Sequence, residues 1–421
     1  MRESKSRSTC RICDSDDLRV YLNLGSTPLA NSYLKKEELA NPEFTEELAL
    51  QLCLGCGLSQ LTKVVSPERM YKNYLYVSST PKTFRDHCAE LAKTAVAAAS
   101  VKAGSLVLDI ASNDGCLLSA FRALGMTILG VEPAENLAPE ANRRNIPTLC
   151  DYWSKPLAKT IVKRHGRVDI VTSTNVLAHV DDVQGFVAGV DECLAPQGIW
   201  VIEVPYLVDF IRKNEFDTAY HEHLSYFSIH ALSRLMERHR FQIFDVQYFP
   251  RLHGGTIRVF TSRKGRRLVH RHVSEFLRKE HVFGVKKLSG YQAFAKRVLA
   301  NKKRLMELLT RLKREGQTVW AYGASAKGNT LLNYFGISNA LVPVAIDDNP
   351  MKWGYFTPGT RLRITGIEEL ARAPVDYLLL LAWNFEEEIM SRCKTVGYRK
   401  GFISPVPKAR LVPGVKEEIL Q

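Results

Sequence analysis

Ser105-Leu106-Val107-Leu108-Asp109-Ile110-Ala111-Ser112-Asn113-Asp114-Gly115 is the segment from which the fold can be read. Its first six residues are an apolar run of strand length, carrying one acid near its end. The next five are turn formers, with Gly115 the permissive position before a helical pattern from Cys116 to Leu124. The same alternation continues downstream. Thr127-Ile128-Leu129-Gly130-Val131-Glu132 is a second strand ending in a carboxylate, and Asp169–Val176 and Gly198–Val204 are further strands. Strands alternating with helices predict a parallel doubly wound sheet, whose ligands gather at the carboxyl ends of the strands.

A strand ending in Asp109, a tight turn, and Glu132 about twenty residues later match the spacing at which a second acid meets ribose hydroxyls. The G-x-G-x-x-G turn of dinucleotide enzymes is missing. The pattern looks like a class I S-adenosylmethionine (AdoMet) methyltransferase, with Ser112, Asn113 and Asp114 supplying polar contacts where such enzymes carry glycines. On this resemblance Asp151, in Cys150-Asp151-Tyr152-Trp153, falls near the adenine, and Asn175 follows the strand nearest the methyl donor. His179 closes the same loop; a lone histidine there is more often structural than catalytic.

Toward the N-terminus, Cys10-x-x-Cys13 and Cys53-x-x-Cys56 are two paired-thiol turns, the second rich in glycine (Leu54-Gly55 and Cys56-Gly57). In a reducing compartment such pairs read as metal ligands, and four thiolates complete a tetrahedron around a structural Zn2+ with no open position. The long separation between the pairs requires Gly25–Asn31 to fold as part of the module. Tyr74 and Tyr76 would share one face of an extended segment, and a helix is expected over Thr83–Ala99.

Toward the C-terminus, Tyr220-His221-Glu222-His223 places four titratable groups between Phe216 and Tyr226-Phe227. Polar groups within aromatic walls suit a pocket with tuned ionisation. A solvated charged turn at a helix start is an equally economical reading. Gly254-Gly255-Thr256-Ile257-Arg258-Val259 is expected to lead out into a charged, helical connection over Leu268–Arg314. A second, smaller Rossmann-like unit follows. Its strand Thr318–Tyr322 runs into Gly323-Ala324-Ser325-Ala326-Lys327-Gly328, where Lys327 and a helix N-terminus form an anion site. Asp347 and Asn384 stand at the ends of its next strands.

With 421 residues the chain is too long for one core, and its charge of +14 favours an acidic partner. That excess is spread along the chain rather than clustered with aromatics in the zinc module, which argues against a nucleic-acid enzyme. No apolar run is long enough to span a membrane, and Met1–Lys5 lacks the apolar core of a signal peptide, so a cytoplasmic location is expected.

Taken in order, the cysteine pairs, Ser112-Asn113-Asp114-Gly115, Tyr220–Phe227, Gly323–Gly328, Asp347-Asp348-Asn349-Pro350 and Pro358-Gly359-Thr360 resemble the nucleotide-sugar C-methyltransferases of deoxysugar pathways, above all those acting on C-3 of dTDP-sugars. The resemblance implies a zinc-binding domain (1–62), a helical connection (63–100), an AdoMet domain (101–262), a helical linker (263–314) and a Rossmann-like domain (315–421) holding the nucleotide. Gly323, Ala324, Lys327, Asp347 and Asn384 are its expected contacts. It further implies that Tyr220, Glu222, His223, His179 and either Tyr74 or Tyr76 lie at the sugar, in a monomer that binds neither nucleic acid nor membrane. The expected reaction is methylation beside the ketone of a 4-ketosugar, with His223 as base, Tyr220 hydrogen-bonding the enolate oxygen and Glu222 positioning. An O- or N-methyltransferase on such sugars, or a cofactor-free nucleotide-sugar binding protein, are the competing classes.

Overall fold

The computed structural model describes residues 3–71, 82–252 and 254–414. The strand Leu106–Ile110 lies inside a seven-stranded sheet in the order Phe241–Phe249, Thr256–Arg263, Leu194–Pro205, Val168–Thr174, Leu106–Ile110, Thr127–Val131, Thr148–Leu149. The five strands from Leu194–Pro205 onward are parallel, whereas Thr256–Arg263 runs antiparallel to both of its neighbours. The sheet is therefore mixed rather than wholly parallel. Thr256–Arg263, expected from sequence to belong to the exit from this domain, is a buried interior strand.

Near the N-terminus an antiparallel sheet takes the order Ser225–Tyr226, Ser59–Leu61, Thr45–Cys53, Leu18–Pro28. Its edge strand, Ser225–Tyr226, comes from the far end of the Tyr220–Phe227 run. That run thus leaves the AdoMet domain and completes the sheet of the cysteine-bearing module. A third sheet of six strands, Arg363–Thr365, Val344–Ile346, Val319–Tyr322, Tyr377–Leu380, Gly401–Ser404 and Arg410–Val412, is parallel except at its last edge.

The 27-residue helix Leu288–Arg314 buries Tyr291, Phe294, Val298, Leu305, Leu309 and Leu312, an apolar stripe at helical spacing. Tyr291 and Phe294 pack on Tyr21 of the N-terminal sheet, and Phe294 also on Phe210. One apolar core joins these residues to Leu50, Phe216, Leu331 and Leu379, so the N-terminal and C-terminal sheets share packing with the Phe216–Leu224 segment. Among the described residues no helix is long and apolar enough to cross a membrane.

Candidate active site at the meeting of three domains

At the carboxyl ends of the central strands, Asp109, Ser112, Asn113, Glu132, Asn175 and His179 line one cavity of about 730 Å3. The opposite wall carries Thr218, Tyr220 and His223, and the C-terminal domain adds Lys327. The turn after Asp109 is tight in a particular way. Ala111 and Asn113 adopt left-handed φ values of 56° and 52°, and Asn175 one of 56°. Asparagine tolerates that region; for Ala111 it costs about 1–2 kcal/mol, a strain of the kind that gathers where backbone must approach a ligand. Gly115 (φ 77°) admits no side chain, because a Cβ there would lie 2.7 Å from Ile146.

The Glu132 carboxylate accepts the N–H groups of Asn113 (2.8 Å) and Ala134 (2.9 Å), which locks its orientation toward the cavity. Burial raises its pKa, against the pull of those two bonds. Burial also pushes Asp109 up to about 7, opposed by the Thr172 hydroxyl that donates to it at 2.7 Å. These walls suit AdoMet, which joins a ribose and an adenine to a charged sulfonium.

Two expected cofactor contacts do not line the cavity. Asp114 is buried beneath the turn, paired with Arg144 at 3.3 Å. Asp151 is exposed, and its neighbours Tyr152 and Trp153 line the cavity instead, because the short strand Thr148–Leu149 ends early and the chain turns after it. Aromatic side chains at this edge of the cavity are a signal that the sequence carried beside the acid.

The Tyr220–His223 segment is a turn, closed by the His223 N–H donating to the Tyr220 carbonyl at 2.8 Å. Tyr220 and His223 therefore face each other, with ring centroids 4.0 Å apart. The Thr218 carbonyl can only accept, so His223 Nδ1, 2.9 Å away, carries the hydrogen. In the neutral ring Nε2 then holds the lone pair, and it accepts the Tyr220 hydroxyl at 2.7 Å. Glu222 turns aside and accepts from Asn31 Nδ2 at 2.6 Å, while His221 Nε2 meets the Glu46 carbonyl at 3.1 Å.

His179 stands edge-on to His223, with centroids 4.8 Å apart. Burial lowers its pKa from 6.5 to about 4, so its ring is neutral near pH 7 and adds no like charge beside His223. The folded-state value lies below the unfolded one, so the unfolded chain takes up the extra proton first as pH falls. Stability is expected to be full above pH 6.5 and to decline from there toward pH 4. Urea denaturation across that range should give a shallower acid slope in His179→Asn than in the wild type. The part of the ring facing the cavity stays open to water, which limits the size of the effect.

Among the described C-terminal residues, only Lys327 reaches the shared cavity; its ammonium also lies 5.2 Å from the Trp383 ring centre. Gly323, Ala324, Asp347 and Asn384 stand at strand ends behind it. The Ala324 carbonyl accepts from Tyr33 (2.7 Å) and Lys352 (2.8 Å), and the Asp347 carboxylate is held by Lys352 at 3.1 Å. These four do not line the central cavity. Tyr74 and Tyr76 lie outside the described residues.

Cys10, Cys13, Cys53 and Cys56 converge with all four sulfurs within 4.8 Å of one another; Cys10 and Cys56 approach to 3.4 Å and Cys13 and Cys53 to 3.5 Å. A tetrahedral zinc with bonds of about 2.3 Å needs sulfurs about 3.8 Å apart, so the set fits Zn2+ and leaves no vertex for catalysis. The knuckle does reach the active site through the side chain of Arg11. The Arg11 guanidinium pairs with Asp181 at 3.1 Å and donates to the Leu224 carbonyl at 3.2 Å, bracing the loops that carry His179 and His223.

Fold, turn and thiolate set together define an AdoMet-dependent methyltransferase with a zinc-binding module. Comparison with known proteins narrows this. Three family models match in series: a zinc binding domain over residues 10–71, a methyltransferase domain over 82–246 and a C-methyltransferase C-terminal domain over 251–407. C-methyltransferase NovU of Streptomyces niveus is 35% identical over 405 residues, 96% of each chain. The chain belongs to this C-methyltransferase family and is an AdoMet-dependent C-methyltransferase. A ubiquinone biosynthesis O-methyltransferase of Rhodopseudomonas palustris (strain HaA2) is 31% identical over 107 residues, 24% of this chain and 41% of its own. Among solved structures, magnesium protoporphyrin IX methyltransferase of Synechocystis PCC 6803 with bound SAM is 14% identical with a TM-score of 0.33, over 43% of this chain and 79% of its own.

Proposed function

We propose that the methyl acceptor is the carbon, C-3, beside the ketone of a nucleotide-linked 4-keto-deoxysugar, with a dTDP-sugar as the first candidate. One observation carries this reading: the Tyr220–His223 pair shares a cavity with the AdoMet walls on one side and with Lys327 of a second Rossmann-like domain on the other. Lys327, at the N-terminal end of the helix Ala326–Phe335, suits a diphosphate. The cavity then spans from nucleotide to methyl donor with the sugar between.

Carbon methylation needs a carbanion equivalent, and a sugar carbon becomes acidic only beside a carbonyl. AdoMet, when bound, supplies the electrophilic methyl carbon that this carbanion equivalent takes up, and leaves as the neutral thioether. His223 Nε2 takes the C-3 proton. To do so its single lone pair must first be released: the Tyr220 hydroxyl turns its hydrogen from Nε2 to the ketone oxygen, and the electron pair of the broken C–H bond passes into the enolate whose oxygen that hydrogen then meets. Base and oxyanion donor thus operate as one unit 2.7 Å apart. His223 as base and Tyr220 as enolate donor are the assigned roles; Glu222 positions the sugar.

A panel of dTDP- and other nucleotide-linked 4-ketosugars, incubated with isotopically labelled AdoMet and resolved by mass spectrometry, tests the reading. The expected product carries the label on a ring carbon of a 4-ketosugar. Label on oxygen or nitrogen, or on none of the panel, would overturn it.

A further inference from the structure

The Glu222 carboxylate is held from the zinc-binding domain. Asn31 Nδ2 donates to Glu222 Oε1 at 2.6 Å. Asn31 follows the strand Leu18–Pro28, and the surrounding loop is tied to the C-terminal domain rather than to its own sheet. Asn329 Nδ2 holds the Ala30 carbonyl at 2.7 Å, the Tyr33 hydroxyl holds the Ala324 carbonyl at 2.7 Å, and the Leu34 and Phe356 backbones exchange bonds of 3.0 and 2.8 Å. Asn329 is fully buried in the same helix that begins beside Lys327.

We propose that Asn31 is a positioning residue for the methyl transfer, presenting the Glu222 carboxylate in an orientation that the C-terminal domain sets through Asn329 and Tyr33. Two atoms fix the geometry: Ala30 O, gripped by the helix that carries Lys327, and Asn31 Nδ2, one residue on, gripping Glu222. The nucleotide-side helix and the sugar-side carboxylate are therefore linked by a single residue step of the N-terminal loop. This gives the zinc module a part in catalysis beyond scaffolding, and it rests on the reading that Glu222 acts at the substrate. Among the described residues, the titratable groups near Glu222 include Tyr33 of the same loop, with Lys352 and Asp347 behind it, and Tyr220, His221 and His223 of its own turn.

Steady-state kinetics of the full chain carrying Asn31→Ala, Asn31→Asp or Asn329→Ala test the proposal, with zinc content and S-adenosylhomocysteine affinity measured alongside. Asn31→Ala is expected to lower kcat by about 10–100-fold, the cost of a displaced positioning group. The sugar KM should change less, with zinc and cofactor binding retained, and Asn329→Ala should show a smaller loss of the same kind. The isosteric Asn31→Asp sets a second carboxylate against Glu222, and such a pair shares one proton. Its kcat should rise as pH is lowered, through an ionisation that the wild type and Asn31→Ala lack. Wild-type kcat in both Asn31 variants, beside an impaired Glu222→Gln, would overturn the role of Asn31 alone. Wild-type kcat in Glu222→Gln itself would remove the underlying role of Glu222, and with it this proposal.

Discussion

His223→Asn is expected to lower kcat by about 10²–10⁴-fold, the usual contribution of a general base, while AdoMet binding is retained. The substitution is chosen because the amide nitrogen of asparagine can still donate to the Thr218 carbonyl that now holds Nδ1. The turn thereby keeps its anchor, and what is lost is the titratable Nε2. Its partner should fail differently. Tyr220→Phe leaves the base in place and removes the hydrogen destined for the enolate oxygen. Turnover should fall, and the loss should be less than additive in the double variant, since the two groups form one hydrogen-bonded unit. Stopped-time product assays with saturating AdoMet measure both effects. A Tyr220→Phe enzyme with wild-type turnover would remove that residue from the enolate role.

Glu132→Ala is the second change with a large expected effect, and it falls on the cofactor. Hydrogen bonds to charged groups contribute about 1.5–3 kcal/mol each, and a ribose offers two hydroxyls. Losing them should weaken S-adenosylhomocysteine binding by about 10²–10⁴-fold in isothermal titration. The same substitution frees the N–H groups of Asn113 and Ala134, so the strained turn at Ala111–Asn113 should loosen as well. Unchanged affinity would place the ribose elsewhere in the cavity.

What could be read from the sequence was whatever is encoded locally. An apolar run ending in Asp109, a turn, and a second strand ending in Glu132 suffice for the central fold, and paired thiols suffice for zinc. The failures share a cause: they depend on contacts distant in sequence. Whether Thr256–Arg263 is an exit or an interior strand is decided by its neighbours, Leu194–Pro205 and Phe241–Phe249. Asp114 faces inward because Arg144 is there to meet it. The Tyr220–His223 run could be read as helical or extended, and the two gave opposite facing pairs. The turn brings Tyr220 against His223 and sends Glu222 to Asn31, a partner about 190 residues away that no local pattern could announce.

The central claim is that His223 removes a carbon-bound proton beside a ketone, and hydrogen exchange reads that step without methyl transfer. The protein is incubated with a nucleotide-linked 4-ketosugar in D2O, with no AdoMet added, and deuterium at C-3 is followed by NMR. The wild type is expected to exchange the C-3 proton for deuterium and His223→Asn to leave it in place. Exchange in His223→Asn at the wild-type rate would contradict the assignment.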